Sequence, residues 1–165
     1  MELVVYQINA FTEHLDGGNP ACVIELQNWP ENDLLLKIAK ANAVSETAFF
    51  IQNGYRFHLR WFTPEVEMDL CGHATLATAH VLKTILQHHE NSFKFDTLSG
   101  ELTVNVNNHV YCLNFPARKP IVSDIPEIIL HSINLKPKEI LKSRDYVLVY
   151  ETEHEIKHIV IEKPL

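Results

Sequence analysis

Residues 67–82, EMDLCGHATLATAHVL, carry the reading that decides the fold. From Ala74 to Leu82 the segment is apolar or small almost all round, interrupted only by Thr75, Thr78 and His80. A helix with no polar stripe needs apolar surroundings on every side. The pattern predicts one buried helix over roughly 72–88, whose alanines and threonines let neighbouring strands come close. The mouth of that helix is different. Cys71, Gly72 and His73 follow one another where packing alone asks for no such residues.

The flanking sequence supplies the strands that such a helix requires. LVVYQINAF (3–11) and ACVIEL (21–26) read as strands, separated by the turn-rich TEHLDGGNP. WPENDLLLKIAKAN (29–42) reads as a helix with Pro30 in its first turn and Leu35, Ile38, Ala39 and Asn42 at helical spacing. ETAFFIQ and YRFHLRWFT flank Asn53-Gly54, a hairpin signal. On the second of these strands Phe57, Leu59 and Trp61 share one face and Arg56, His58 and Arg60 the other. FKFDTLSGELTVNVNNHVYCLNF (93–115) gives three short strands joined at Ser99-Gly100 and Asn107-Asn108. A sheet wrapped around one apolar helix accounts for all of this. PARKPIVSDIP (116–126) reads as a domain boundary. Beyond it a short helix (126–133) and strands over DYVLVYE (145–151) and IKHIVIE (156–162) are expected.

Bulk properties narrow the function. Lys and Arg total 14 against 21 Asp and Glu, a net charge of −7, which argues against nucleic acid or an anionic membrane as the main partner. Cys22, Cys71 and Cys112 are odd in number with no paired spacing, so a reducing cytoplasm is expected over a disulfide framework. No stretch has membrane-spanning length, and the first residues lack the basic region of a signal peptide.

Two places carry chemistry-bearing residues. Glu46, in AVSETAFF, stands at the start of a core strand, where desolvation lifts a carboxylate toward a proton-shuttling range. Its other reading is a solvated turn of Ser45, Glu46 and Thr47. At Cys71-Gly72-His73, free N–H groups and the helix dipole attract anions, Gly72 admits a close ligand, and His73 can donate a hydrogen bond. The alternative there is an ordinary helix start with a buried cysteine and a satisfied histidine. No metal is expected: Cys71 and His73 are too few ligands, and His73 and His80 are about 10 Å apart along one helix face. GGNP (17–20) alone is a turn, and His88-His89 is expected to be solvated.

Taken together, INAFTEHLDGGNPACVI, NAVSETAFF, LRWFTPEVEMDLCGHATLATAHVL and FDTLSGEL, in that order, resemble the PhzF family of phenazine-biosynthesis-like isomerases, relatives by fold of diaminopimelate epimerase. The resemblance covers residues 1–118 as an N-terminal lobe and leaves 119–165 as a linker and the incomplete start of a second lobe. The implied fold is α+β, each lobe a curved, mostly antiparallel sheet around a central helix, with the active site in the cleft between lobes. Position by position, the resemblance makes Glu46 the catalytic acid/base, with His73 beside it among the catalytic groups. It makes Gly72, Asn19 and Cys71 substrate-binding, Cys71 standing where the epimerase branch keeps a cysteine base.

The implied reaction is a cofactor-independent isomerisation that moves a proton in a small carboxylate-bearing substrate. A DPVTGSAH-like segment of the family's second lobe is absent from these residues, so the chain is expected to be truncated or split and weakly active alone. A homodimer or a complementing second-lobe polypeptide would then close the cleft. Two alternatives follow: an inactive binding or self-association module derived from the family, and a cysteine-dependent racemase, disfavoured because Cys71 has no second base.

Overall fold

The structure, a computed structural model, describes residues 2–14 and 16–162. The chain divides into two compact units, Met1–Phe115 and Pro116–Leu165. In the first, β1 (Tyr6–Ala10) and β2 (Asn19–Glu25) lead to α1 (Asn32–Asn42), β3 (Glu46–Asn53), β4 (Arg56–Phe62) and β5 (Glu67–Met68). Then come α2 (Gly72–His80), β6 (Ser92–Thr97), β7 (Gly100–Asn107) and β8 (Val110–Asn114). One sheet runs β1-β2-β3-β4-β6-β7-β8, with β5 paired to β4. Neighbours are antiparallel except β2–β3 and β4–β6, whose parallel crossovers pass through α1 and α2.

The sheet curls around α2, which packs on β1, β2 and β3 and also on β8 from the opposite edge. His73, Ala74, Thr75, Ala77, Thr78 and Ala79 are buried, as a stripe-free helix demands. Its threonines satisfy their hydroxyls locally: Thr75 Oγ1 donates to the Cys71 carbonyl at 2.5 Å and Thr78 Oγ1 to that of Ala74 at 2.8 Å. The helix is shorter than its pattern predicts. After His80 it widens into a π-helical turn over Val81–Ile85, closed by the Leu86 N–H on the Val81 carbonyl at 2.9 Å. Gln87 at φ 56° then ends it. His88, expected in solvent, instead lies edge-on to Phe57 at 5.5 Å.

Strand alternation sorts two cores. Ala21, Val23, Ala48, Phe50, Phe57, Leu59 and Trp61 join α2 on the inner face. Ile24, Phe49 and Phe62 pack with Leu35 and Ala39 of α1 on the outer one. Two of the three hairpin turns lie one residue later than the turn dipeptides suggest, and the β6–β7 turn, Leu98-Ser99, lies one residue earlier. Gly54-Tyr55 forms the β3–β4 loop with positive φ at Gly54 only (62°), the type II′ pattern. Asn108 and His109, at φ 48° and 66°, form the β7–β8 loop, the type I′ pattern.

The second unit holds a small antiparallel sheet, with β10 (Glu139–Lys142) between β9 (Ile121–Val122) and β11 (Tyr146–Val149). Helices α3 (Glu127–His131) and α4 (Glu153–Lys157) accompany it. Among its described residues only Ile125 and Pro137 are buried. The strand expected over 156–162 is not formed. A capping box overrides the apolar alternation: Thr152 Oγ1 accepts the Glu155 N–H at 3.2 Å, and Glu155 Oε2 accepts the Thr152 N–H at 2.9 Å. Those bonds start α4, and only Ile161 pairs in β fashion, with Ile133.

Candidate active site

Parity delivers the acid. Glu46 opens β3 on the same face as Ala48 and Phe50, so its side chain is directed to the α2 side of the sheet. There it meets the first turn of α2, with its Oε2 3.3 Å from His73 Nε2. The two side chains are 17% and 9% exposed, which excludes the solvated-turn position for Glu46. The separation suits a hydrogen bond but the alignment does not close one, and both atoms are sealed from solvent without a partner.

The other ring nitrogen is engaged. His73 Nδ1 lies 3.4 Å from the sulfur of Cys71, the residue that caps α2 in an extended conformation. Burial pushes the Cys71 thiol up to about 12. The Ala74 and His73 amides pull the other way without closing a cap hydrogen bond, and the Glu46 charge adds to the rise. The helix dipole is therefore outweighed by desolvation, and Cys71 is a neutral thiol at physiological pH. Cys71, His73 and Glu46 form a chain of three groups joined through one imidazole.

Gly72 and Asn19 take up positions around that chain. A Cβ on Gly72 would lie 3.3 Å from Phe115 Cε2, so the glycine is what lets the aromatic ring rest on the helix mouth. Nothing local in the sequence pairs Phe115 with Gly72; the contact arises only from the curl of the sheet. Asn19 opens β2 on the face of Ala21 and Val23, and its Oδ1 accepts the Ser45 hydroxyl at 3.1 Å. It thereby ties the residue before Glu46 to the neighbouring strand, a part for Ser45 that the turn-like SET stretch did not suggest.

The third potential ligand beside Cys71 and His73 is Glu46, which no sequence spacing supplied. One donor atom from each of the three lies within 4.8 Å of the others. The donor set fits a chelate poorly, because thiol and carboxylate address different nitrogens of the same ring. A cation would also require the thiolate that burial disfavours. His80 stands apart, bonded through Nδ1 to the Tyr111 hydroxyl at 3.2 Å beside a cavity of about 240 Å³ that Ile8, Phe11 and Leu76 also line.

Residues 8–156 match the family model described as phenazine biosynthesis-like protein, PhzC-PhzF. The chain belongs to the PhzC/PhzF family. A Pseudomonas aeruginosa protein named as an uncharacterized isomerase is 42% identical over 156 residues, 94% of this chain and 60% of that relative. The crystal structure of a PhzF family protein from Enterococcus faecalis superposes with a TM-score of 0.86 at 38% identity, over 98% of this chain and 62% of that one. A predicted epimerase from Pseudomonas aeruginosa shares the fold, with a TM-score of 0.69 at 15% identity. The PhzF segments quoted from the sequence thus lie in an α+β, epimerase-like fold. The chain spans about three-fifths of the length of the curated relative at 42% identity.

Proposed function

We propose that this chain carries the proton-transfer half of a cofactor-independent, PhzF-type isomerase that acts on a small carboxylate-bearing substrate. The observation that supports it most is the pair of buried, unbonded atoms Glu46 Oε2 and His73 Nε2, 3.3 Å apart at the start of a helix. Buried polar atoms are ordinarily satisfied, so two facing orphans mark a place where a further group completes the bonding.

In this reading Glu46 removes a proton from a carbon made acidic by the substrate's conjugated carboxylate and returns it at another carbon on the same face. One carboxylate suffices for that. The charge that builds up on the substrate is met by the His73 N–H and the positive end of α2. A racemisation through Cys71 is the weaker reading, since a neutral buried thiol is a poor base. The catalytic unit proposed is this lobe closed by a second lobe, supplied by the same or another polypeptide, which keeps water from the reacting carbon.

The test follows deuterium uptake from D2O into a panel of small unsaturated carboxylic acids. The panel is offered to the full chain alone and mixed with the second lobe of the Enterococcus faecalis relative. Uptake that falls about 10²- to 10⁴-fold in Glu46→Gln supports the assignment. Uptake at the parental rate in that variant removes Glu46 from the chemistry.

A further inference from the structure

We propose that Cys71 is a positioning residue: its S–H donates to His73 Nδ1 and holds the imidazole as the tautomer with its proton on Nε2, facing Glu46. The catalytic meaning of this rests on the Glu46 reading above, but the tautomer itself does not.

Two observations converge on it. The Sγ–Nδ1 separation of 3.4 Å is within reach of a sulfur hydrogen bond, and both residues are buried, so water does not compete. In such a contact the proton sits on one partner or the other. A proton on Nε2 leaves a lone pair on Nδ1, so the S–H is the group that supplies the proton of this contact. On the far side of the ring, Glu46 Oε2 stands 3.3 Å from Nε2. A lone pair on Nε2 facing a carboxylate would be repelled, whereas an N–H there is attracted. Both ends of the ring thus select the same form. Which imidazole nitrogen carries the proton is set by what the other one bonds, and here the other one bonds a thiol.

The consequence is a division of labour. With its Nδ1 lone pair spent on Cys71, His73 has no basic nitrogen to offer inside the site and acts as a donor. Glu46 is left as the one proton acceptor of the three. The thiol contributes without ionising and without touching substrate, as a fixed proton donor to a histidine.

The experiment is ¹⁵N NMR of ring nitrogens in the full chain labelled at histidine, with the His73 signals identified by their loss in His73→Gln. Expected at neutral pH is a pyridine-like Nδ1 and a pyrrole-like Nε2. Cys71→Val fills the site without a donor and should move the Nδ1 signal further from the pyrrole-like position, because its lone pair loses the hydrogen bond while Glu46 still favours a proton on Nε2; Cys71→Ser keeps a donor and should retain the wild-type pattern. The proposal is overturned by a wild-type His73 that is protonated on Nδ1 or on both nitrogens. It is equally overturned if Cys71→Val leaves both shifts unchanged. Neither outcome involves turnover, so it leaves the deuterium-uptake test of Glu46 standing on its own.

Discussion

Glu46 and His73 reach each other from different crossovers of the sheet, one from the first residue of β3 and one from the first turn of α2, and stop at 3.3 Å without closing a hydrogen bond. A pair kept for folding would be aligned. Removal of such a bond ordinarily costs about 1.5–3 kcal/mol. Glu46→Gln keeps the shape, removes the charge and leaves an amide facing the imidazole. The expected change in unfolding free energy is therefore within about 0.5 kcal/mol, read by urea denaturation followed by circular dichroism. A loss in the full hydrogen-bond range would show that the pair exists to hold the lobe together.

The three cysteines differ in access. Cys112 is exposed, while Cys22 and Cys71 are buried. Burial raises the thiols of Cys22 and Cys71, that of Cys71 to about 12. Thiolate is the nucleophile, so alkylation of the native chain at pH 8 should label Cys112 and spare the other two until the protein is unfolded. Peptide mass spectrometry reports which sites react. Early labelling of Cys71 would mean an accessible thiolate at the helix mouth and would revive the cysteine-base chemistry.

Arg60 shows how the outer face is fastened. Its guanidinium makes a two-pronged bond to Glu67 at 2.7 Å on each oxygen, bonds Asn32 Oδ1 at 2.8 Å, and lies 5.0 Å from the Trp29 ring and 5.1 Å from that of Phe62. A lysine keeps the charge but neither the fork nor the stacking plane. Arg60→Lys should cost about 1–2 kcal/mol in a denaturant titration, more than the 0–1 kcal/mol of an exposed pair. An unchanged midpoint would make the cluster incidental.

Much of this was readable from the chain because local and global signals agree in the first unit. The apolar, small-residue run after His73 could only be a wrapped helix, and alternation along Phe57, Leu59 and Trp61 fixed the inner face of β4. The meeting of Glu46 with His73 followed from no spacing; family resemblance put both at one site, and only the curl of the sheet gives the distance. Phe115 over Gly72 was illegible for the same reason. In the second unit the apolar alternation in IKHIVIE misled, because a capping box at Thr152 and Glu155 commits the backbone before the alternation begins. Strand β10 was missed as well, being short and half polar at its ends.

The Gly72–Phe115 contact yields a packing prediction. Gly72 has ordinary helical φ, so the objection to a side chain there is the ring and not the backbone. Alanine gains about 1 kcal/mol of helix propensity against a ring that must shift by tenths of an ångström, and should be close to neutral. Gly72→Leu has to displace the ring and should cost about 2 kcal/mol or more. Combining it with Phe115→Ala should recover most of that cost. A double-mutant cycle that comes out additive would place the two residues out of contact.

The capping box at α4 makes that helix sensitive to acid in a direction the geometry fixes. Hydrogen bonds from the Thr152 hydroxyl and backbone, with a further one from the Glu151 N–H, hold the Glu155 carboxyl below its ordinary range. A group whose folded pKa is depressed stabilises the fold above its unfolded pKa and loses that contribution as pH falls through the folded value. Amide protection over Glu153–Lys157 should accordingly be constant above the usual glutamate pKa and decline as pH drops below it. Thr152→Ala removes the largest cause, so the Glu155 titration should move up toward the ordinary value and the helix should fray even at neutral pH. NMR titration of the Glu155 carboxyl carbon, alongside amide exchange, measures both. A Glu155 that titrates at the same pH in parent and variant would mean that the cap seen between these two side chains does not persist in solution.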